Sequence, residues 1–237
     1  MRLNMIPGIL TLLLAFAALA ADTPPPSPET GAGAGALRAI SAEDFMRALR
    51  HADHDALLAY RQGGGEINIC DPRTGLTPLH FAARNNRYAA AQLLLEANAN
   101  AKQRNRTGAT PLHLAAANGH GDMAILLLRH GAEIDARDRD GFTPLHLAAQ
   151  YNHPAMVAML AGWGADLEAR TNDRGLTPLH WAAFNGNPNT VKALLQSGAD
   201  IGAADYMGRT PYEWAGKSLR PDAARILARR GGHWLGR

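Results

Sequence analysis

The histidines are the residues whose type and spacing first promise chemistry. His80, His113, His146 and His180 recur at steps of 33, 33 and 34 residues. A row of imidazoles is a common way to hold a metal or move a proton. Periodic spacing argues against a shared ion. Side chains one period apart on packed helices are separated by about 8–10 Å, whereas each ligand of one zinc approaches it to about 2 Å. His51 and His54, three residues apart, could touch one metal from a single helix face, but no carboxylate pair is placed to complete that site. Neither a metal nor a cofactor is expected.

Each of the four periodic histidines closes the tetrapeptide Thr-Pro-Leu-His, which begins at Thr77, Thr110, Thr143 and Thr177. An altered fifth copy, Thr210-Pro211-Tyr212-Glu213, follows 33 residues after the last. Self-similarity at this period marks one small supersecondary unit copied along the chain and stacked on itself. The stretch Gly141-Phe142-Thr143-Pro144-Leu145-His146-Leu147-Ala148-Ala149 resembles the ankyrin-repeat consensus. The resemblance implies an all-α solenoid of helix-turn-helix units joined by hairpin or turn fingers. It also gives His80, His113, His146 and His180 a structural role, bonded to the threonines and to neighbouring backbone. The register places repeats near 71–104, 105–137, 138–170 and 171–204, with degenerate copies near 38–70 and 205–237. End copies are atypical because one of their faces meets water.

Local residue types agree with this plan. Thr caps a first helix and Pro fills its first turn, where no amide donor is missed. Leu and the following Ala-Ala pair permit close packing. A second, leucine-rich helix begins at Pro154, Pro188 and Pro221 in three repeats and ends before Gly131, Gly164, Gly198 and Gly231, with Asn98 substituting in the second repeat. Such positions want a left-handed cap. Ser41-Ala42-Glu43-Asp44 reads as a capping box opening the first repeat. Helices this short persist only when stacked.

The N-terminus points to export. Met1-Arg2 is positive, Met5 to Leu19 is almost wholly apolar, and Ala18-Leu19-Ala20 supplies small residues for cleavage. Residues 1–21 thus read as a signal peptide cut near Ala20 and Ala21, and a periplasmic or secreted protein is expected. The alternative is an uncleaved anchor holding a membrane-tethered scaffold, although the run is shorter than the roughly 20 residues that span a bilayer. Residues 22–37, rich in Pro, Gly and Ala, read as a spacer before the repeat domain at 38–237. Cys70, the single cysteine, has no partner for a disulfide within the chain and reads as a small buried residue between repeats.

The chemistry expected is recognition. No Gly-x-Ser-x-Gly, phosphate loop, His-Glu-x-x-His or dinucleotide fingerprint is present. Asp138, Asp140, Asp166, Asp200 and Asp205 fall at turn positions and read as Asx-turn formers rather than catalytic pairs. No enzyme is expected, and an enzyme or metal protein remains the minor alternative. In ankyrin repeats the contacts come from the finger tips before the tetrapeptide and from the two residues after Ala-Ala. By that resemblance the positions are Arg73, Thr74, Leu76, Arg84 and Asn85 in the second repeat, and Arg106, Thr107, Ala109, Ala117 and Asn118 in the third. The fourth offers Arg139, Asp140, Phe142, Gln150 and Tyr151, and the fifth Asp173, Arg174, Leu176, Phe184 and Asn185. The last offers Tyr206, Met207, Arg209 and Lys217.

An arginine at each finger and the aromatics Phe142, Tyr151 and Phe184 suggest a concave face for a protein with an acidic, partly apolar surface, since arginine and aromatic side chains anchor interfaces. The alternative is that the arginines form a solvated rim and the aromatics pack between fingers. Net charge is +3, and Asp140 and Asp173 interrupt the basic row, which with export argues against nucleic acid. No small-molecule substrate is expected, and the chain is expected to be a monomer. The basic tail around Trp234 reads as a frayed cap or an extra contact.

Overall fold

The computed structural model describes residue 60, residues 63–217 and residues 221–231, with no side-chain description at Lys217. The signal segment, the spacer, the Ser41 capping box, His51, His54 and Trp234 lie outside the described residues. Among the described residues the chain forms ten helices in five antiparallel pairs and no strand. The inner helices, each opened by the threonine-proline step, are α1 (Pro78–Arg84), α3 (Pro111–Ala117), α5 (Pro144–Gln150), α7 (Pro178–Asn185) and α9 (Pro211–Lys217). Their outer partners are α2 (Tyr88–Glu96), α4 (Gly121–Arg129), α6 (Pro154–Gly162), α8 (Pro188–Gln196) and α10 (Pro221–Arg229). Each inner helix packs on the next inner helix, and each outer helix on the next outer one.

One continuous core runs through the pairs. Leu79, Leu112, Leu145 and Leu179, together with the alanine pairs behind them, are buried to 1% exposure or less. Alanine at these positions lets the inner helices approach closely, and the larger Met123, Leu127, Met156, Leu160, Val191 and Leu194 fill the space from the outer row. No helix among the described residues is long and apolar enough to cross a membrane.

The tetrapeptide performs four linked tasks. The N-cap threonines Thr77, Thr110, Thr143 and Thr177 hold extended backbone, with proline at the next position. Their backbone N–H groups donate to histidine Nδ1 at 3.1–3.2 Å, so Nδ1 is the acceptor nitrogen. The proton must then sit on Nε2, which donates to a carbonyl of the next repeat: Ala109, Phe142, Leu176 and Arg209 in turn, at 3.0–3.1 Å. Each histidine therefore caps its own helix and bolts it to the following repeat. In the last copy Glu213 accepts the Thr210 N–H at 3.0 Å. It keeps the cap, while the second bond across to a further repeat is the one task a carboxylate cannot perform.

Between pairs, the fingers are hydrogen-bonded turns. Each closes on itself through bonds such as Asp138 N–H to Phe142 C=O, and each is tied to its predecessor: Arg106 N–H to Thr74 C=O, Arg139 to Thr107, Asn172 to Asp140 and Tyr206 to Arg174, at 2.9–3.0 Å. Asp138, Asp166, Asp200 and Asp205 do accept amides from two residues on, as Asx turns require. Asn98 has φ 64°, the left-handed cap expected of it.

Glycine at the finger tip is what lets successive fingers touch. Gly108 has φ +83°, and a Cβ there would lie 2.9 Å from the Arg139 backbone nitrogen. Gly108→Ala should therefore cost about 2 kcal/mol or more, since left-handed backbone with a Cβ costs about 1–2 kcal/mol before the contact is counted. Urea denaturation of the two proteins measures it, and a change below about 0.5 kcal/mol would contradict the close approach.

Candidate partner-binding face

The residues expected to contact a partner divide into three groups once folded. Leu76, Phe142 and Leu176, expected to stand out from the fingers, are buried at 7%, 6% and 0% exposure. This corrects the expectation of exposure. The residue just before each N-cap turns beneath its finger, where the next repeat covers it. Phe142 lies 5.0 Å from the Trp181 ring and edge-on to His146 at 5.7 Å. The alternative of aromatics packed between fingers holds at this position.

Arg209 forms a second group with Arg106 and Arg174, whose cations are already engaged. Arg209 meets the buried Asp205 carboxylate at 2.8 Å and lies 4.5 Å from the Trp214 ring centroid. Trp214 donates its indole N–H to the same carboxylate at 3.0 Å. Burial alone would raise the Asp205 pKa, but hydrogen bonds from the Arg209 amide and side chain, Trp214 and the Met207 amide hold it below the usual range. Asp138 occupies the equivalent place two fingers earlier, and among the described residues no cation pairs with it. Burial pushes it up to about 6, hydrogen bonds from the Phe142, Asp140 and Gly141 amides oppose the rise, and the Asp140 charge adds to it. Arg174 reaches toward Asp173 at 3.7 Å and lies 5.7 Å from the Trp214 ring. Arg106 donates to the Pro72 carbonyl of the preceding finger.

The third group keeps part or all of its surface in solvent. Arg73 and Arg139 are exposed at the finger tips, and Tyr206 is 61% exposed with Met207 beside it at 75%. At the ends of the inner helices Arg84, Gln150, Tyr151, Phe184 and Asn185 are half-buried. Arg84 lies 5.5 Å from the Phe81 ring, and burial lowers its pKa. Burial also raises the Tyr151 pKa. Phe184 stands edge-on between Trp181 at 6.3 Å and Trp214 at 5.4 Å, completing an aromatic chain from Phe142 into the last repeat. Asn185 spends its amide N–H on the Trp181 carbonyl at 3.0 Å, as Asn85 and Asn118 do in their own repeats. Gln150 Oε1 and Trp181 Nε1, on the adjacent helices α5 and α7, are buried without a hydrogen-bond partner. Each such group costs about 1–3 kcal/mol.

The periodic histidines are not part of this face. They are fully buried, with both ring nitrogens committed to protein partners, and burial pushes His80, His113 and His180 down to about 4 and His146 to about 3. Neutral imidazoles at these sites are hydrogen-bonded bolts. Among the described residues no three His, Cys, Asp or Glu side chains converge as metal ligands.

Sequence reasoning missed a second arginine series. Arg104, Arg137 and Arg170 precede their fingers and reach the backbone carbonyls of Arg137, Arg170 and Ala204 in the next repeat, the last two bonds at 2.5 and 2.7 Å. Arg137 also donates to Asn172 Oδ1 at 3.0 Å. Their regular spacing was the signal. Cys70 occupies the same register position one repeat earlier and is exposed, which corrects the expectation that it is buried. A position that sends long side chains along the outside of the stack leaves a short one in water.

The ankyrin description "Ankyrin repeats (3 copies)" matches residues 45–138, 92–171 and 164–233, which together span most of the chain. The chain belongs to the ankyrin-repeat family. No curated protein matches it. The four complete Thr-Pro-Leu-His copies and the Glu213 variant are thus one ankyrin framework, and an ankyrin array implies a protein–protein interaction module of a generally non-catalytic kind.

Proposed function

We propose that this ankyrin-repeat protein is exported, and that it binds another exported or envelope protein and so protects or regulates it. The face is the row of inner-helix ends with the exposed finger tips, and the partner presents an acidic, partly apolar surface. The observation that carries this reading is the half-buried set Arg84, Tyr151 and Phe184. Aromatic and arginine side chains that are partly desolvated before binding lose little further freedom on docking, which is how interface anchors gain their weight. Export rests on the positive Met1-Arg2 end, the apolar run to Leu19 and the small residues before Asp22.

Affinity isolation from an exported-protein fraction tests the binding. The intact chain should retain a protein that the triple variant Arg84→Ala, Tyr151→Ala, Phe184→Ala releases with its helical circular dichroism intact. Equal retention by the two would remove this face from the reading. N-terminal sequencing of the exported chain should begin at Ala21 or Asp22. An intact Met1 in a carbonate-resistant membrane fraction would instead favour the tethered scaffold, which the apolar run also allows.

A further inference from the structure

Between the second and fifth repeats the available face changes character along its length. The last residue of the inner-helix floor is Arg84 in the second repeat, Ala117 in the third and Gln150 in the fourth, and Phe184 takes the same register place in the fifth. Arg84 is half-buried over Phe81, and among the described residues no carboxylate forms an ion pair with it. The nearest finger acid in sequence, Asp71, is occupied by the amides of Arg73 and Thr74 and the Thr74 hydroxyl. At the other end the cations are already used. Arg174 and Arg209 lie against Trp214, with Arg209 paired to Asp205, so what faces outward there is the half-buried Phe184 ring set on Trp181 and Trp214. One end offers an unpaired cation and the other an aromatic seat.

We infer that the partner docks through an extended polypeptide segment with two anchors, an acidic side chain on Arg84 and an apolar one on Phe184. The inference rests on the reading that this face binds a protein. Three repeat steps of about 8–10 Å separate the anchors, a distance of about 24–30 Å. An extended chain advances about 3.3–3.6 Å per residue, so the anchors stand about eight residues apart in the partner's sequence. The segment is extended rather than helical because the floor between the anchors holds an unmatched acceptor, Gln150 Oε1. An extended backbone has free N–H groups to meet it as the Gln150 side chain turns outward, while a helix spends its own internally.

Fluorescence anisotropy with synthetic peptides tests this on the full chain. The peptides carry Glu-Glu at one end and Leu-Trp at the other, in both orders, joined by a Gly-Ser spacer of about eight or about two residues. In one of the orders the longer spacer should bind about tenfold tighter or more, because only it lets both anchors engage at once. Raised salt and Arg84→Ala should each erase that gain. Arg84→Glu should lose the acidic peptide and accept its counterpart with Arg-Arg in place of Glu-Glu, a gain that an unfolded variant could not show. Equal affinity at both spacings, or indifference to Arg84, overturns the inference. If Phe184→Ala then still weakens every peptide, the face stands without the two-anchor register. If Phe184→Ala also changes nothing, the binding face itself falls.

Discussion

Acidification from pH 7 to pH 4 should unfold this protein, with most of the stability lost below about pH 6.5. The four bolt histidines have folded pKa values of about 4, or about 3 for His146, against 6.5 for an imidazole in the open chain. The unfolded state therefore binds more protons in the interval between them. Their cost is absent above about 6.5, grows as pH falls, and is complete only below the folded values. Asp138 works against them. Its folded pKa of about 6 lies above the usual 3.8, so in the same interval the folded state holds the extra proton and acid favours it. Glu168, raised mainly by burial, shares that sign. Asp71 and Asp205, held low by hydrogen bonds despite burial, lose their contribution only below about 3.8 and fall outside the window.

Four histidines against one strongly shifted carboxyl leave three net protons taken up on unfolding. Each changes stability by about 1.4 kcal/mol per pH unit, so a domain of ordinary stability, about 5–15 kcal/mol, is exhausted within two or three units. Urea midpoints measured from pH 7 to 5 should fall steeply. Asp138→Asn, which retains an amide-accepting oxygen as Asn105 does in the preceding finger, should steepen the fall by about one proton. A flat profile across this range would contradict the neutral, buried bolts.

Trp181→Ala should be the most damaging single truncation, at about 3–5 kcal/mol. The indole is 1% exposed and lies at the junction of Phe142 and Phe184, so its removal empties the aromatic chain where the fourth repeat meets the fifth. A repeat array is held together by nearest-neighbour interfaces, and weakening one in the interior lets the two sides melt apart. Equilibrium urea unfolding followed by circular dichroism should show a lower midpoint and a broadened or split transition. Phe184→Ala, half-exposed at the start, should cost about 1–2 kcal/mol and keep a single transition. A loss below about 1 kcal/mol for Trp181→Ala would mean that the junction carries little of the stacking energy.

The framework was legible in the sequence because its causes are local. Thr, Pro, Leu and His act within one turn of their own helix, and Asn98 or glycine caps the next within the same repeat. The face was less legible because burial at a finger is decided one repeat later. Nothing near Phe142 announces that Trp181, far along the chain, will cover it, or that Arg209 will be consumed by Asp205 and Trp214. Arg104, Arg137 and Arg170 were visible at the repeat period, yet their bonds run to backbone carbonyls that carry no side-chain signature. Cys70 could have been placed in water by comparison with those arginines, since the register gives it the same outward position. Arg84, Gln150, Tyr151 and Phe184 were chosen by position alone, and the structure leaves them half-buried at the inner-helix ends.

Site-directed photocrosslinking in intact cells tests the binding face most directly. A photoreactive residue at Gln150, between the proposed anchors, should capture one defined protein. The same residue at Trp163, 45% exposed on the turn after α6, should not. Capture from the Trp163 position with none from Gln150 would place the partner elsewhere and contradict the account.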